Sequence, residues 1–218
     1  SCSLATISGR NAHRGPNLGQ VVSAPWARQL FIPHPGMVMV GADLEGLELR
    51  ALGHYLAVFD EGAFADVVVN GDIHTQNAER VGCTRSEVKS LVYGFIYGAG
   101  DVKLGHILHP ELSDAQKKTL GQELRRKFLD AIPGLEPLID AVKLKVRTTG
   151  QLRGLDGRPL FCRAEHSAFN ALLQCAGAIL SKRWVVISHQ MLESAGLSYN
   201  RDYTRCAYVH DEQQLSVV

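Results

Sequence analysis

Met37-Val38-Met39-Val40-Gly41-Ala42-Asp43 is an unbroken apolar run that ends on an acid. Such a run suits a buried strand, and it would present Asp43 at the strand's end. Directly after it, Leu47, Ala51, Leu52, Tyr55 and Leu56 recur on one helical face, which predicts a helix over Leu44–Phe59. Near the other end of the chain, Arg205–Val218 reads as strand, turn and strand, with the turn at His210-Asp211-Glu212-Gln213. Two acids, Asp43 and Asp211, are therefore expected at strand ends, where a rigid sheet can hold carboxylates close together.

Outward from these strands the pattern turns helical. Residues 1–36 are punctuated by Gly and Pro, so only short helices are expected there. Asp72 or Thr75 can cap a helix running toward Arg80, and Ser86 stands near the start of another that carries Val88 to Tyr97. Asp114–Phe128 and Leu135–Thr148 read as amphipathic helices, and Ala168–Glu193 as a long apolar one. Gln151–Phe161 reads as a hairpin with a type I′ turn at Asp156-Gly157. The fold class is α+β, with a helical insert between β-containing ends.

The chain has 218 residues, 45% of them apolar and 21% charged, which excludes collagen-like, disulfide-scaffold and disordered chains. No apolar run approaches the roughly 18 residues needed to cross a bilayer, so no membrane partner is expected. Five scattered cysteines, Cys2, Cys83, Cys162, Cys175 and Cys206, fit neither a disulfide framework nor a zinc ribbon and point to a reducing compartment. A net charge of +1 speaks, taken alone, against a nucleic-acid partner. The charge is unevenly spread, however. Residues 37–80 carry eight acids against two bases, and residues 115–147 carry eight bases against four acids. A near-zero total can conceal an acidic centre beside a basic wall.

Arg85, Lys89, Tyr93 and Tyr97 stand four apart, so a helix would place two cations and then two aromatics along one stripe. Cations can clamp a polyphosphate and an aromatic can stack on a base or ribose. The plain alternative is an amphipathic helix with solvated cations. Gly94 and Gly98, each after a Tyr, speak against it, because Gly inside a helix costs about 1 kcal/mol relative to Ala.

These residues carry a resemblance. Asp43-Leu-Glu-Gly-Leu-Glu-Leu-Arg50 resembles the first catalytic motif of family A DNA polymerases, D-x-S-x-x-E-L-R. Arg85 through Gly98 resembles their fingers-helix motif, R-x-x-x-K-x-x-x-[FY]-G-x-x-Y-G, and Val209-His-Asp-Glu212 matches the third, V-H-D-E. Gly71-Asp-Ile-His-Thr75 fits between the first two. The insert lengths and Tyr93 look closest to phage-type replicative members.

The resemblance implies a palm, an antiparallel sheet with packed helices, at residues 1–56 and 151–218, interrupted by mostly helical fingers at 57–150. It implies DNA-templated DNA synthesis, with transfer from a dNTP to a primer 3′-hydroxyl. Asp43 and Asp211, with the carbonyl of Leu44, would ligate two Mg²⁺ ions, and Glu212 would lie near them. His74, Arg85 and Lys89 would bind the triphosphate, Lys89 also protonating the leaving group. Tyr93 would pack on sugar and base, and Glu48 would exclude a ribose 2′-hydroxyl. Arg10, Gln20, Tyr97, His166, Asn170, Gln174 and His210 would meet primer-template DNA. The implied partners are that DNA, dNTPs and a processivity factor, and the implied location is the cytoplasm of an infected bacterial host.

Nothing in the chain resembles a thumb or an exonuclease domain, so it reads as the catalytic middle of a longer protein. Glu45, where the motif often has Ser, adds negative charge near the expected metals. Two alternatives compete. One is a DNA-binding fragment that cannot turn over. The other is a metal-dependent phosphohydrolase with His74, His210, Asp43 and Asp211 as ligands, which would leave the Arg85/Lys89/Tyr93/Tyr97 stripe without a purpose.

Overall fold

A computed structural model describes residues 2–3, 6–22, 24–73, 75, 78 and 81–218. The chain groups into two compact units: residues 1–47, 154–158 and 174–218 form the first, and residues 48–153 and 159–173 the second.

The first unit is built on a three-stranded antiparallel sheet in the order β3-β7-β6, with β3 at Val38–Asp43, β6 at Tyr203–Val209 and β7 at Glu212–Val217. Register runs from Val38↔Val217 to Asp43↔Glu212 on one side and from Tyr203↔Val217 to Val209↔Glu212 on the other, with a bulge between Arg205 and Ala207. The β6–β7 connection is the two residues His210 and Asp211, tighter than the expected four-residue turn. Glu212 and Gln213 are already paired with Val209 and Tyr208. A short ladder of β1 (Cys2–Ser3) and β2 (Ala12–His13), a 3₁₀ turn at Leu18–Gln20 and helix α1 (Pro25–Arg28) account for the punctuated N-terminal stretch.

Strand β3 is not buried as its apolar composition predicts. Among the described residues it pairs with β7 alone, and Val38 and Val40 are 59% and 43% exposed. β-Branched side chains still suit the pleated, partly covered surface of such an edge strand.

Most of the second unit is helical. Helix α2 (Leu47–Asp60) buries Leu47, Ala51, Leu52 and Leu56, much of the expected stripe, together with Glu48 at 2% exposure. Helix α3 (Ala63–Asn70) was not predicted, because Val67-Val68-Val69 favours a strand. Asp60 overrides that preference: its carboxylate accepts from the backbone N–H of Gly62 and of Phe64, satisfying donors that a helix start leaves open.

Helix α4 (Arg85–Ile96) starts one residue before Ser86. Thr84 and Glu87 form a reciprocal capping box, and Val88, Leu91, Val92, Phe95 and Ile96 make its buried stripe. Gly98, at φ +78°, turns the chain out of the helix. Helix α5 (Asp101–Leu108) is a second unpredicted element, packed against α6 (Asp114–Ala131). Helix α7 (Leu135–Thr149) buries Leu135, Leu138, Val142 and Val146 at the expected period.

Strands β4 (Gln151–Arg153) and β5 (Pro159–Phe161) form the expected hairpin, but not through a type I′ turn. That turn needs positive φ at both central residues. Here Gly157 adopts it and Asp156 does not. The bonds Gly157 N–H to Gly154 O (2.9 Å) and Gly154 N–H to Arg158 O (2.9 Å) instead close a longer loop.

Helix α8 (Glu165–Ser194) has an 18-residue stretch of mean hydropathy 1.2, long and apolar enough by length and composition to cross a membrane. The stretch is not a continuous apolar run, because polar residues are interspersed through it. Cys175, Ala176, Ala178 and Ser181 on it are all nearly or fully buried.

Candidate active-site residues

In the first unit, backbone pairing gathers the acids. Asp43 lies opposite Glu212 across β3 and β7, and the backbone N–H of Leu44 donates to the carbonyl of Asp211 at 3.0 Å. That bond joins the end of β3 to the β6–β7 turn and brings the acidic residues of the first and third motifs into one corner. The Asp43 carboxyl is held above the usual aspartate range, by partial desolvation first and then by the negative charges of Asp211, Glu212 and Glu45. A corner that already raises a carboxyl attracts a cation. Its oxygen donors suit hard Mg²⁺, which takes one or two carboxylates and completes its shell with waters and phosphate oxygens. Among the described residues no group of three or more His, Cys, Asp and Glu is arranged to hold a metal ion by itself.

His210 forms the turn at φ +56°, and its carbonyl accepts from Ser181 Oγ of α8 at 2.6 Å. The same hydroxyl pairs with Tyr208 Oη at 2.8 Å, so one buried serine ties the turn and β6 to α8. The His210 imidazole is pushed down, by burial first and by the Arg10 and His13 charges next, against the pull of Asp211. The charge of Arg10 thus acts on the turn, and Lys182 Nζ donates to the carbonyl of Gly9, the residue before Arg10, at 2.6 Å. Gln20 is exposed at the end of the 3₁₀ turn, whose Gly19 lies against Val209 and His210. A cavity of about 390 Å³ beside the turn is lined by Leu18, Val21, Phe31, Met39, Val209 and Glu212 among others. Gln174 belongs to this unit and is half-buried on α8.

Helix α4 in the second unit carries the four-spaced stripe as expected. Arg85 and Lys89 are exposed, Tyr93 is half-buried, and Tyr97 is 46% exposed just past the helix end. The Tyr93 and Tyr97 rings stack with centroids 6.2 Å apart and planes at 20°. Arg85 is engaged: its Nε donates to Asp72 Oδ2 at 2.9 Å and its Nη2 to Asp72 Oδ1 at 3.4 Å. This partner was missed. Asp72 reads from sequence only as a helix cap, and no local pattern links residues thirteen apart.

Asn170 is 9% exposed, and its side-chain amide donates to the carbonyls of Phe95 and Ile96 at the end of α4. Its first task is therefore to satisfy a helix C-terminus. The space for it exists because residue 98 is Gly, where a Cβ would stand 3.0 Å from Asn170 Oδ1. His166 is exposed one turn earlier on α8. His74 lies outside the described residues, although Asp72 and Thr75 on either side of it are described.

An antiparallel sheet with acids at its turn, a helical unit carrying a cation–aromatic stripe, and the motif order together define a class. The profile of DNA polymerase family A matches residues 2–218, and the chain belongs to that family. It is 35% identical over 240 residues to a DNA-directed DNA polymerase of Enterobacteria phage T3, with 96% of this chain and 33% of the relative covered. It is 36% identical over 239 residues to that of Escherichia phage T7, again with 96% and 33% covered. The chain thus spans about a third of the length of these relatives. Among solved structures, the POL domain of Pol1 from M. smegmatis, in complex with DNA primer-template and dNTP, superposes with a TM-score of 0.77 at 23% identity. That match covers 97% of this chain and 40% of the other. At that identity the likeness speaks for the fold.

Proposed function

We propose that this chain carries the nucleotidyl-transfer residues of a DNA-directed DNA polymerase, joining dNTPs to a primer 3′-hydroxyl on a DNA template and releasing pyrophosphate. Residues 1–56 and 151–218 are read as palm and 57–150 as fingers. The observation that carries the reading is the acidic corner in which Leu44 N–H to Asp211 O joins the first and third family motifs.

Asp43, Asp211 and the Leu44 carbonyl would hold two Mg²⁺, which when bound would lower the barrier to hydroxyl attack and offset charge on the leaving pyrophosphate. Glu212 adds to the local negative field without being required as a ligand. Arg85, Lys89 and His74 bind the triphosphate, and Lys89 hands a proton to the departing pyrophosphate oxygen. Tyr93 contacts the nucleotide's sugar and base, and Tyr97 the templating position. Glu48, held rigid by its burial, blocks a ribose 2′-hydroxyl. Arg10, Gln20, His166, Gln174 and His210 meet the duplex. Asn170 supports the end of the nucleotide-binding helix and reaches DNA through that frame. A processivity factor and a phage-infected bacterial cytoplasm complete the proposal.

The test is Asp43→Asn and Asp211→Asn in the full-length protein, assayed by extension of a primed template. Loss of incorporation with unchanged melting temperature is expected, and wild-type rates would refute the assignment. Extension by the isolated chain beside the full-length protein separates a competent unit from a binding fragment.

A further inference from the structure

Asp72 and Arg85 are the last residue before one helix and the first residue of another. The helix after Asp72 carries Thr75, and α4, which Arg85 opens, carries Lys89 and Tyr93. The Asp72 carboxylate serves both. Its Oδ1 accepts from the Thr75 backbone N–H at 3.2 Å and its Oδ2 from Thr75 Oγ1 at 2.8 Å, which caps the first helix. The same two oxygens accept from Arg85 Nη2 and Nε. The Asp72 carboxyl is accordingly held far below the usual aspartate range, by the Arg85 bond first and by Thr75 next.

A guanidinium has five N–H donors in one plane. Asp72 takes two along the Nε edge, so the plane is set and the Nη1 donors are turned away from the carboxylate. An unanchored arginine at this exposure, 58% for its side chain, would sample many rotamers. The anchor contributes little to fold stability, because both partners face solvent. Its consequence is orientation.

We propose that Asp72 is the positioning residue for Arg85, holding its guanidinium in the plane that receives the nucleotide's triphosphate and tying that plane to the start of the helix that carries Thr75. This inference rests on the reading of Arg85 as a triphosphate ligand. Asp72 touches no reacting atom. It acts through Arg85, much as a carboxylate behind a metal-bound histidine fixes the ring.

The experiment is steady-state incorporation by the full-length protein on a primed DNA template, with KM for the dNTP and kcat measured separately. Asp72→Asn keeps the side-chain shape and the helix cap but loses the charged two-point grip. KM for the dNTP is expected to rise about five- to twentyfold, with kcat changed less than about threefold and melting temperature unchanged. On an Arg85→Lys background, which keeps the charge and lacks the planar fork, Asp72→Asn should add nothing further.

Equal increments of KM in both backgrounds would overturn the proposal, as would a wild-type KM in Asp72→Asn when Arg85→Lys raises it. A lowered KM would make Asp72 a competitor of the triphosphate and overturn it too. A wild-type KM in Arg85→Ala would instead refute the reading of Arg85 itself, which distinguishes the two failures.

Discussion

Gly121→Ala should destabilise this chain although it places a better helix former in a helix. Alanine at a helix interior is favoured over glycine by about 1 kcal/mol. Gly121, however, lies where α6 crosses α5, and a Cβ there would stand 1.8 Å from the backbone oxygen of Asp101. Gly105 meets the mirror situation, with a Cβ 2.1 Å from the backbone oxygen of Lys117. Backbone cannot step aside as a side chain can, so the helices must part by about 2 Å to reach ordinary contact. Overpacking of this kind costs about 1–3 kcal/mol, at the high end when backbone must move.

Parting the helices also draws Asp101 away from Arg125. Arg125 Nε donates to Asp101 Oδ1 at 2.8 Å and its Nη2 to the Ala99 carbonyl at 2.8 Å, and its guanidinium lies 5.4 Å from the Phe95 ring centroid. Both partners keep some solvent, so this loss adds about 1 kcal/mol. Net of the propensity gain, Gly121→Ala should cost about 2–3 kcal/mol, which lowers Tm by about 5–10 °C for a chain of this length. Thermal and urea unfolding followed by circular dichroism would measure it. Gly100→Ala is the control, since nothing lies within 4 Å of its Cβ position and its φ is −68°. A Gly121→Ala protein that melts at or above wild type would refute the reasoning about backbone contact.

Asn170→Ala should lower stability by about 1–3 kcal/mol, because it leaves the buried carbonyls at the end of α4 without their amide donor. Asn170→Asp should not rescue it, since a carboxylate cannot donate, and urea midpoints check both. Asp202 is held down to about 2 by Arg201 and the backbone N–H of Ser198. A depressed carboxyl stabilises the fold above its unfolded pKa near 3.9, and that contribution is lost as pH falls from there toward 2. Asp202→Asn should therefore flatten the acid limb of a Tm-against-pH curve between about pH 4 and 2. An unchanged limb would count against the assignment.

How much could be read in advance differs from element to element. Helix α4 was legible almost to its ends, because capping, apolar period and terminal glycine all act within a few residues of one another. Helices α3 and α5 were not. The first has a valine run that prefers a strand until Asp60 caps it, and the second is short and interrupted by Gly105. The Asp156-Gly157 pair was visible as a turn, but its backbone class depends on the sign of φ at Asp156, which the dipeptide leaves open. The apolar run Met37–Asp43 foretold a strand and misjudged its surroundings, since burial depends on how many strands pair with it.

The sequence by itself determined the chemistry on offer: which residues are acids, cations and aromatics, at what spacing, and in the motif order that marks the family. Chemistry of that kind is carried by side-chain type and local periodicity, both of which a sequence contains. Only the tertiary structure decided that Asp211 reaches the end of β3 through Leu44, that Asp72 grips Arg85, and that Asn170 supports α4. Each joins residues far enough apart in the chain that no helical or strand period relates them, so folding had to bring them together.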